Sequence, residues 1–189
     1  MSRAWPVRDL SADAPLDANA RKIIDVRVAE FSSHAAQVED ASSEALHDLR
    51  IAAKRLRYTL ELFADLLGKR GEAQVKRLKA IQDELGQLHN HDVQIALIAA
   101  ELRALTTEEM AQAENGELPA TSRNDPRPGL LALLAQEHVG RRQRHAAFVE
   151  LWQRFAEEGF AKDLSALSAP PRRSRKRSKP GGSKDKVAA

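Results

Sequence analysis

Apolar residues recur every three or four positions over most of the chain, which is the spacing of one face of an α-helix. This spacing predicts four long helices, at residues of about 17–39, 42–68, 72–105 and 129–158. Gly68 is suited to end the second helix, because glycine readily adopts the backbone conformation that follows a helix C-terminus. Gly86 lies inside the third helix, where glycine is unfavourable unless another backbone packs close to it. No segment alternates as a β-strand does, so the pattern predicts an all-α protein, an antiparallel four-helix bundle of long helices.

The segments outside these helices are polar and contain most of the prolines. Residues 1–15 are expected to be loosely ordered, and the bundle is expected to occupy residues 16–160. Within it, residues 106–128 are expected to form a long polar connection. Residues 168–189 combine prolines and glycines with a basic run, so we expect a disordered basic C-terminal tail.

Positive charge is concentrated in that tail. Residues 168–189 contain eight Lys or Arg and one acid, a charge of +7, which leaves 22 bases and 26 acids, or −4, for residues 1–167. The absence of cysteine excludes disulfides and thiolate metal sites and is compatible with a reducing compartment. No apolar run is long enough to span a bilayer, and the N-terminus lacks the apolar core of a secretory signal. These features predict a cytoplasmic protein with no membrane partner.

The second predicted helix carries a row of cations at the border of its apolar face. With spacings of three, four and three residues, the row consists of His47, Arg50, Lys54 and Arg57. Aligned cations at the edge of a core repel each other and lose hydration unless an anion neutralises them. The row therefore predicts an anionic ligand. The alternative is a solvated face in which Glu61 and Asp48 pair with the cations.

The other helices also place cations or histidines on their apolar sides. These residues are Arg27 and His34 on the first helix, His89 on the third, and Arg141, Arg144 and His145 on the fourth. Together they predict a basic groove or channel near the middle of the bundle. For the fourth helix, an internal salt-bridge network with Glu137 or Asp92 is an equally open alternative. No metal site is expected, because His89 and His91 are two positions apart and point away from each other on a helix.

Two segments of the chain resemble signature motifs of the CHAD family, the conserved histidine α-helical domain. Residues 47–58, HDLRIAAKRLRY, resemble the family's histidine-and-arginine helix. Residues 78–93, LKAIQDELGQLHNHDV, resemble its Leu-Gln-Asp-x-Leu-Gly-x-Leu-His/Asn-Asp segment. The chain departs from the family in two ways. Asn90 stands where Asp is usual, with Asp92 nearby, and the chain carries one copy of a bundle that is usually present twice.

The resemblance implies a helical module that binds inorganic polyphosphate without cleaving it, in a basic groove or channel, and that associates with polyphosphate granules. We find no nucleophile elbow, P-loop or acidic metal cluster in the sequence, so we expect neither enzymatic activity nor a cofactor. The predicted polyphosphate-binding residues are Arg27, His34, His47, Arg50, Lys54, Arg57, His89, Arg141, Arg144 and His145.

Two further expectations concern partners. A single copy of a usually doubled module predicts a two-fold homodimer. The alternative function is nucleic-acid binding, which would act mainly through the basic tail.

Overall fold

The computed structural model describes residues 3–35, 38, 41–117 and 125–169. Its regular structure is entirely helical, and the five helices are α1 (Leu16–His34), α2 (Ser43–Leu62), α3 (Ala64–Glu114), α4 (Arg127–Glu157) and α5 (Phe160–Ser168). No strand occurs in these ranges, so the predicted all-α class is confirmed. None of the described helices is both long enough and apolar enough to cross a membrane.

Helices α1 to α4 surround a shared core. In chain order, α1 packs on α2, α2 on α3, and α3 on α4. The rings of Phe31 in α1 and Trp152 in α4 complete the arrangement, with their centroids 6.0 Å apart. Helix α5 packs against α1, α3 and α4. The arrangement agrees with the predicted bundle and adds a fifth helix to it.

The core between these helices is apolar. Its largest fully buried apolar side chains are those of Ile24, Leu49, Leu56, Leu60, Leu78, Ile81, Leu85, Leu88, Phe148 and Leu164. Glu30 and Gln74 are the only polar residues in the described ranges that are buried. Of the predicted basic groove or channel, a channel through the buried interior is therefore excluded for the described residues. Unpaired cations would lose hydration in that interior, and they lie instead at the edges between helices.

The joint between α2 and α3 differs from its prediction in detail. Ser42 caps α2, because its hydroxyl accepts a hydrogen bond from the backbone N–H of Ala45 at 3.2 Å. Helix α2 then ends at Leu62, six residues before the predicted stop at Gly68. Gly68 has a φ of 54° and marks a kink near the start of α3. The glycine therefore interrupts the helical path as expected, but inside the next helix.

Helix α3 is longer than its apolar pattern predicted, and it continues to Glu114 instead of ending near residue 105. Residues 106–114 are rich in Glu, Gln, Met and Ala, which favour helices without needing a buried face. Near the start of α4, Arg127 forms an ion pair with Glu109 of α3. Arg127 also donates hydrogen bonds to Asp125, which lower the pKa of that carboxyl. The predicted connection is therefore shorter, and its residues 118–124 lie outside the described ranges.

Helix α5 was missed because it is short. Gly159, with a φ of 78°, separates it from α4, and its buried residues Phe160 and Leu164 are one helical turn apart. Arg77 of α3 holds this end in place by ion pairs with Glu158 and Asp163, at 2.9 and 3.0 Å. The bundle therefore extends past residue 160. The predicted tail lies outside the described residues from position 170 onward.

Residues 3–15 contain no helix or strand, but they contact α1. The side chain of Asn19 donates a hydrogen bond to the backbone oxygen of Ser11 at 2.7 Å. The backbone N–H of Trp5 donates to the carboxylate of Glu30 in α1, and its backbone oxygen accepts from Arg27 of the same helix.

Candidate functional site

An open groove of about 290 Å³ lies between α2 and α3. Arg50 lines it from α2, and the residues that line it from α3 are Gln82, Asp83, Gly86, Gln87 and Asn90. A methyl group placed on Gly86 would lie 3.8 Å from the Nε atom of Arg50. The neighbour of this glycine is therefore an arginine side chain, whereas the sequence suggested a closely packed backbone.

Two buried N–H donors on side chains that line the groove lack an acceptor in the described part of the chain. The Nε atom of Arg50 and the Nε2 atom of Gln82 are buried, and neither has a hydrogen-bond partner among the described residues. A buried donor without an acceptor costs about 1–3 kcal/mol. Since the unmatched groups are both donors, the groove is suited to a ligand that is rich in acceptor oxygens.

Arg57 fixes the orientation of the Gln82 amide. Its Nε donates to the Oε1 atom of Gln82 at 3.0 Å, so the Nε2 atom of that amide is the one left unmatched. Arg57 also pairs with Glu61 at 2.8 Å, and its guanidinium lies 4.5 Å from the centre of the Tyr58 ring. Arg57 therefore pairs with Glu61, as the alternative interpretation of the cation row predicted. Lys54 is exposed, and its Nζ lies 5.8 Å from the same ring centre.

His47 and His89 meet beside the groove. Their ring centroids are 5.0 Å apart, and the Nδ1 atom of His47 is buried with no hydrogen-bond partner in the described part of the chain. His47 lies one turn before Arg50 on α2, and His89 lies one turn after Gly86 on α3. The two motifs found in the sequence therefore come together along one helix–helix edge.

Arg27 belongs to a different cluster, around Glu30. This carboxylate is only 1% exposed and forms ion pairs with both Arg27 and Arg55. Arg27 also donates to the backbone oxygen of Trp5 at 2.7 Å. Its guanidinium is thus engaged in holding the N-terminal segment on α1, and it does not line the groove. His34, in the last turn of α1, is half-buried and does not line the groove either.

The cations of α4 pair with acids on α3. Arg141 donates to the Oδ1 atom of Asp92 at 2.5 Å and to the hydroxyl of Ser43 at 2.7 Å. Arg144 lies 3.8 Å from the carboxylate of Glu84. The internal network considered as an alternative is therefore present for Arg141. His145 is half-buried on the same helix, and none of the three predicted residues of α4 lines the groove.

The two neighbouring histidines of α3 point to different helices, as their spacing predicted. His89 contacts His47 of α2, whereas the Nδ1 atom of His91 lies 2.6 Å from Glu137 of α4. The ring of His91 occupies the space beside Gly140, where a Cβ atom would come within 2.6 Å of it. Within the described ranges, no three His, Asp or Glu side chains are grouped so that they could hold a metal ion.

Among the groove-lining residues that sequence reasoning did not predict as binding residues, Gln82 has the unmatched donor. A neutral amide does not stand out in a search for aligned cations. The available signal was its position in the Leu-Gln-Asp segment, four residues before Gly86. This spacing puts both residues on one face of α3.

Comparison with known proteins supports a family assignment. A family model, the CHAD domain, matches residues 3–99, which is just over half of the chain. The match includes α1, α2 and the part of α3 that lines the groove. CHAD domains in general are known to bind polyphosphate. Comparisons with curated proteins and with solved structures found no match. On the strength of the family match, the chain belongs to the CHAD domain family.

Proposed function

We propose that this protein binds inorganic polyphosphate in the groove between α2 and α3, and that it does so without cleaving the chain. The observation that carries the proposal is the pair of buried, unmatched donors on Arg50 and Gln82 in the walls of one groove. A phosphate chain offers acceptor oxygens and about one negative charge per unit, so it would satisfy both donors and neutralise the cation. Membership of the CHAD family supports the same ligand class.

The row of cations on α2 is suited to a linear polyanion. Residues three or four apart on a helix are separated by about 5 Å along its axis, so His47, Arg50 and Lys54 present donors at regular intervals. Arginine can contact two phosphate oxygens with its planar fork, and lysine provides a point charge. In this proposal Arg50, Gln82 and Lys54 contact phosphate, with His47 and His89 at one end of the groove and Arg57 orienting Gln82. Association with polyphosphate granules in the cytoplasm would follow from such binding.

The proposal is tested by titrating long-chain polyphosphate into the full chain and into its Arg50→Ala variant. Loss of a charge-assisted hydrogen bond is worth about 1.5–3 kcal/mol, so we expect affinity to fall by about tenfold or more. Arg142→Ala, which removes an exposed arginine of α4 outside the groove, is the matched control and is expected to change affinity little. Equal affinity for the Arg50→Ala and Arg142→Ala variants would contradict the proposed site.

The basic tail requires a separate test, because it could bind polyanions without the groove. Replacing Arg172, Arg173, Arg175, Lys176 and Arg177 by Gln removes most of its charge and leaves the bundle unchanged. Polyphosphate binding that survives this change and resists competition by duplex DNA supports the groove. Loss of all binding would instead favour the alternative, a nucleic-acid-binding protein that acts through its tail.

We also propose that the chain forms a homodimer. The support is that large apolar residues are exposed on the far parts of α3 and α4.

A further inference from the structure

The orientation of the Gln82 amide is fixed by a residue that does not line the groove. A guanidinium has donors and no acceptor, so the end of the amide that lies 3.0 Å from the Nε atom of Arg57 must be the oxygen. The other end, Nε2, is the buried donor without an acceptor in the described ranges. Gln82 lines the groove, whereas Arg57 does not. Arg57 therefore determines which end of the amide remains for a ligand.

Arg57 is itself held by two neighbours on α2. Its Nη1 atom donates to the Oε1 atom of Glu61, one helical turn further along, at 2.8 Å. Its guanidinium lies 4.5 Å from the centre of the Tyr58 ring, which is within the range of a cation–π contact. Glu61 thus neutralises the charge of Arg57 and fixes the position from which Arg57 donates to Gln82.

We propose that Arg57 and Glu61 are positioning residues for polyphosphate, which act through Gln82 and do not contact the ligand themselves. The inference rests on the proposed polyphosphate function and deepens it, because it separates the cations of α2 that meet phosphate from the one that orients a donor. Without Arg57, rotation about the last side-chain torsion of Gln82 exchanges the two ends of the amide. An amide oxygen turned towards phosphate offers it no donor, so the amide would have to be ordered again on binding.

The identity of the donor is tested first, with an isosteric substitution. Gln82→Glu keeps an acceptor for Arg57, but it replaces the N–H donor by a charged oxygen that phosphate repels. Loss of a hydrogen bond to a charged ligand lowers affinity by about tenfold, and we expect Gln82→Glu to lose at least as much affinity as Gln82→Ala. A Gln82→Glu variant that binds polyphosphate as tightly as the unaltered chain would overturn the proposal.

The positioning role is tested by a double-mutant cycle in the full chain. Polyphosphate affinity is measured for Arg57→Ala and for Glu61→Gln, each alone and each combined with Gln82→Ala. Ordering one side chain on binding lowers affinity by about two- to tenfold, so we expect a loss in this range from each single change. In the Gln82→Ala background we expect no further loss, because no amide remains to be oriented. Losses that simply add would mean that Arg57 contacts phosphate directly, and would overturn the positioning role.

Two controls complete the experiment. The titrations are made at high ionic strength, where the removal of an exposed charge has little effect at a distance. Glu72→Gln removes an exposed carboxylate of α3 outside the groove and should leave affinity unchanged, unlike Glu61→Gln. Equal affinities of these two variants would overturn the role of Glu61.

A measurement on Gln82 itself provides a second readout. Polyphosphate should shift the side-chain amide NMR signals of Gln82 in the unaltered chain, and the shift should be smaller in Glu61→Gln. Equal shifts in both proteins would overturn the positioning role and leave the groove intact. If Arg50→Ala and Gln82→Ala both bind as tightly as the unaltered chain, the groove is not the polyphosphate site, and the proposed function fails together with this inference.

Discussion

Arg27 and Arg50 stand beside the apolar faces of their helices in the same way, yet the folded chain uses them differently. Arg27 is held by the buried carboxylate of Glu30 and by the backbone oxygen of Trp5. The Nε atom of Arg50 is buried without an acceptor in the described part of the chain, in the wall of a groove. The sequence thus shows where an arginine borders an apolar face. Whether that arginine stabilises the fold or is available to a ligand depends on the acids that surround it in the folded chain.

This difference predicts opposite effects of two similar substitutions. Arg27→Ala removes a partner of the nearly buried Glu30, and we expect it to lower the free energy of unfolding by about 1–3 kcal/mol. Its polyphosphate affinity is expected to stay unchanged, whereas Arg50→Ala loses affinity. Urea denaturation followed by circular dichroism measures the first effect, and titration of the folded protein measures the second. A loss of affinity in Arg27→Ala as large as that in Arg50→Ala would place Arg27 in the binding site.

Of the four α2 residues predicted from the sequence, Arg50 lines the groove, and the sequence said less about the residues that surround it. Because helical spacing is regular, the row from His47 to Arg57 could be recognised directly, whereas its approach to His89 emerges only from the fold. The burial of Glu30 and the unmatched amide of Gln82 could not be predicted, since both depend on which helices become neighbours. Pairing across helices is a tertiary property that single-helix periodicity does not contain.

Apolar periodicity did not predict the end of α3 or the presence of α5. Residues 106–114 have little apolar pattern, but they form the last turns of α3 through their intrinsic preference for the helix. Helix α5 has only nine residues, which is too short for its apolar spacing to stand out from the surrounding sequence. Conversely, the four long helices were predicted because each buries a continuous apolar face over several turns.

Alanine substitutions of glycines inside α3 and α4 test how the contacts of a helix affect its stability. Gly86 borders the groove, and a Cβ atom there would make an ordinary contact with Arg50. Alanine is favoured over glycine inside a helix by about 1 kcal/mol, so Gly86→Ala is expected to raise the free energy of unfolding by about that amount. The added methyl group occupies part of the groove, and we therefore expect weaker polyphosphate binding together with higher stability.

Gly140→Ala is the matched control for this prediction, because it changes the same residue type in a neighbouring helix. Its Cβ atom would lie 2.6 Å from the ring of His91, which is held at 2.6 Å by Glu137. The ring must move, and overpacking of this kind costs about 1–3 kcal/mol, which offsets or exceeds the gain in helix preference. Gly140→Ala should therefore be the less stable variant in urea denaturation. Equal free energies of unfolding for Gly86→Ala and Gly140→Ala would show that the contacts of the added methyl groups do not determine the change in stability.

At the scale of the whole molecule, α3 and α4 extend beyond the other helices. Helix α2 begins beside Asp92, where Ser43 donates a hydrogen bond to that carboxylate, whereas α3 continues to Glu114. At a rise of 1.5 Å per residue, this continuation is about 33 Å long. It is accompanied by α4, whose Arg127 pairs with Glu109. The result is a two-helix projection without α1 or α2 to cover it.

The projection carries much of the exposed apolar surface of the described chain. The described chain has twelve exposed large hydrophobic residues, and six of them lie on the projection: Val93, Leu97, Met110, Leu131, Leu133 and Val139. Exposed apolar residues on this part of the molecule are available to a partner, and two uncovered helices can complete a four-helix arrangement by packing against the same two helices of a second copy.

We therefore expect light scattering to give the mass of a dimer, with or without polyphosphate. Leu97→Glu and Leu131→Glu place charges at positions that are 59% and 55% exposed, and desolvating those charges in an interface should shift the equilibrium to the monomer. Leu62→Glu is the matched control, because Leu62 is 76% exposed in the last turn of α2, away from the projection. A dimer that Leu62→Glu preserves and the other two variants abolish would assign the interface to the projection. A monomeric mass under all conditions would contradict the dimer, and the groove, which lies within one chain, would then act alone.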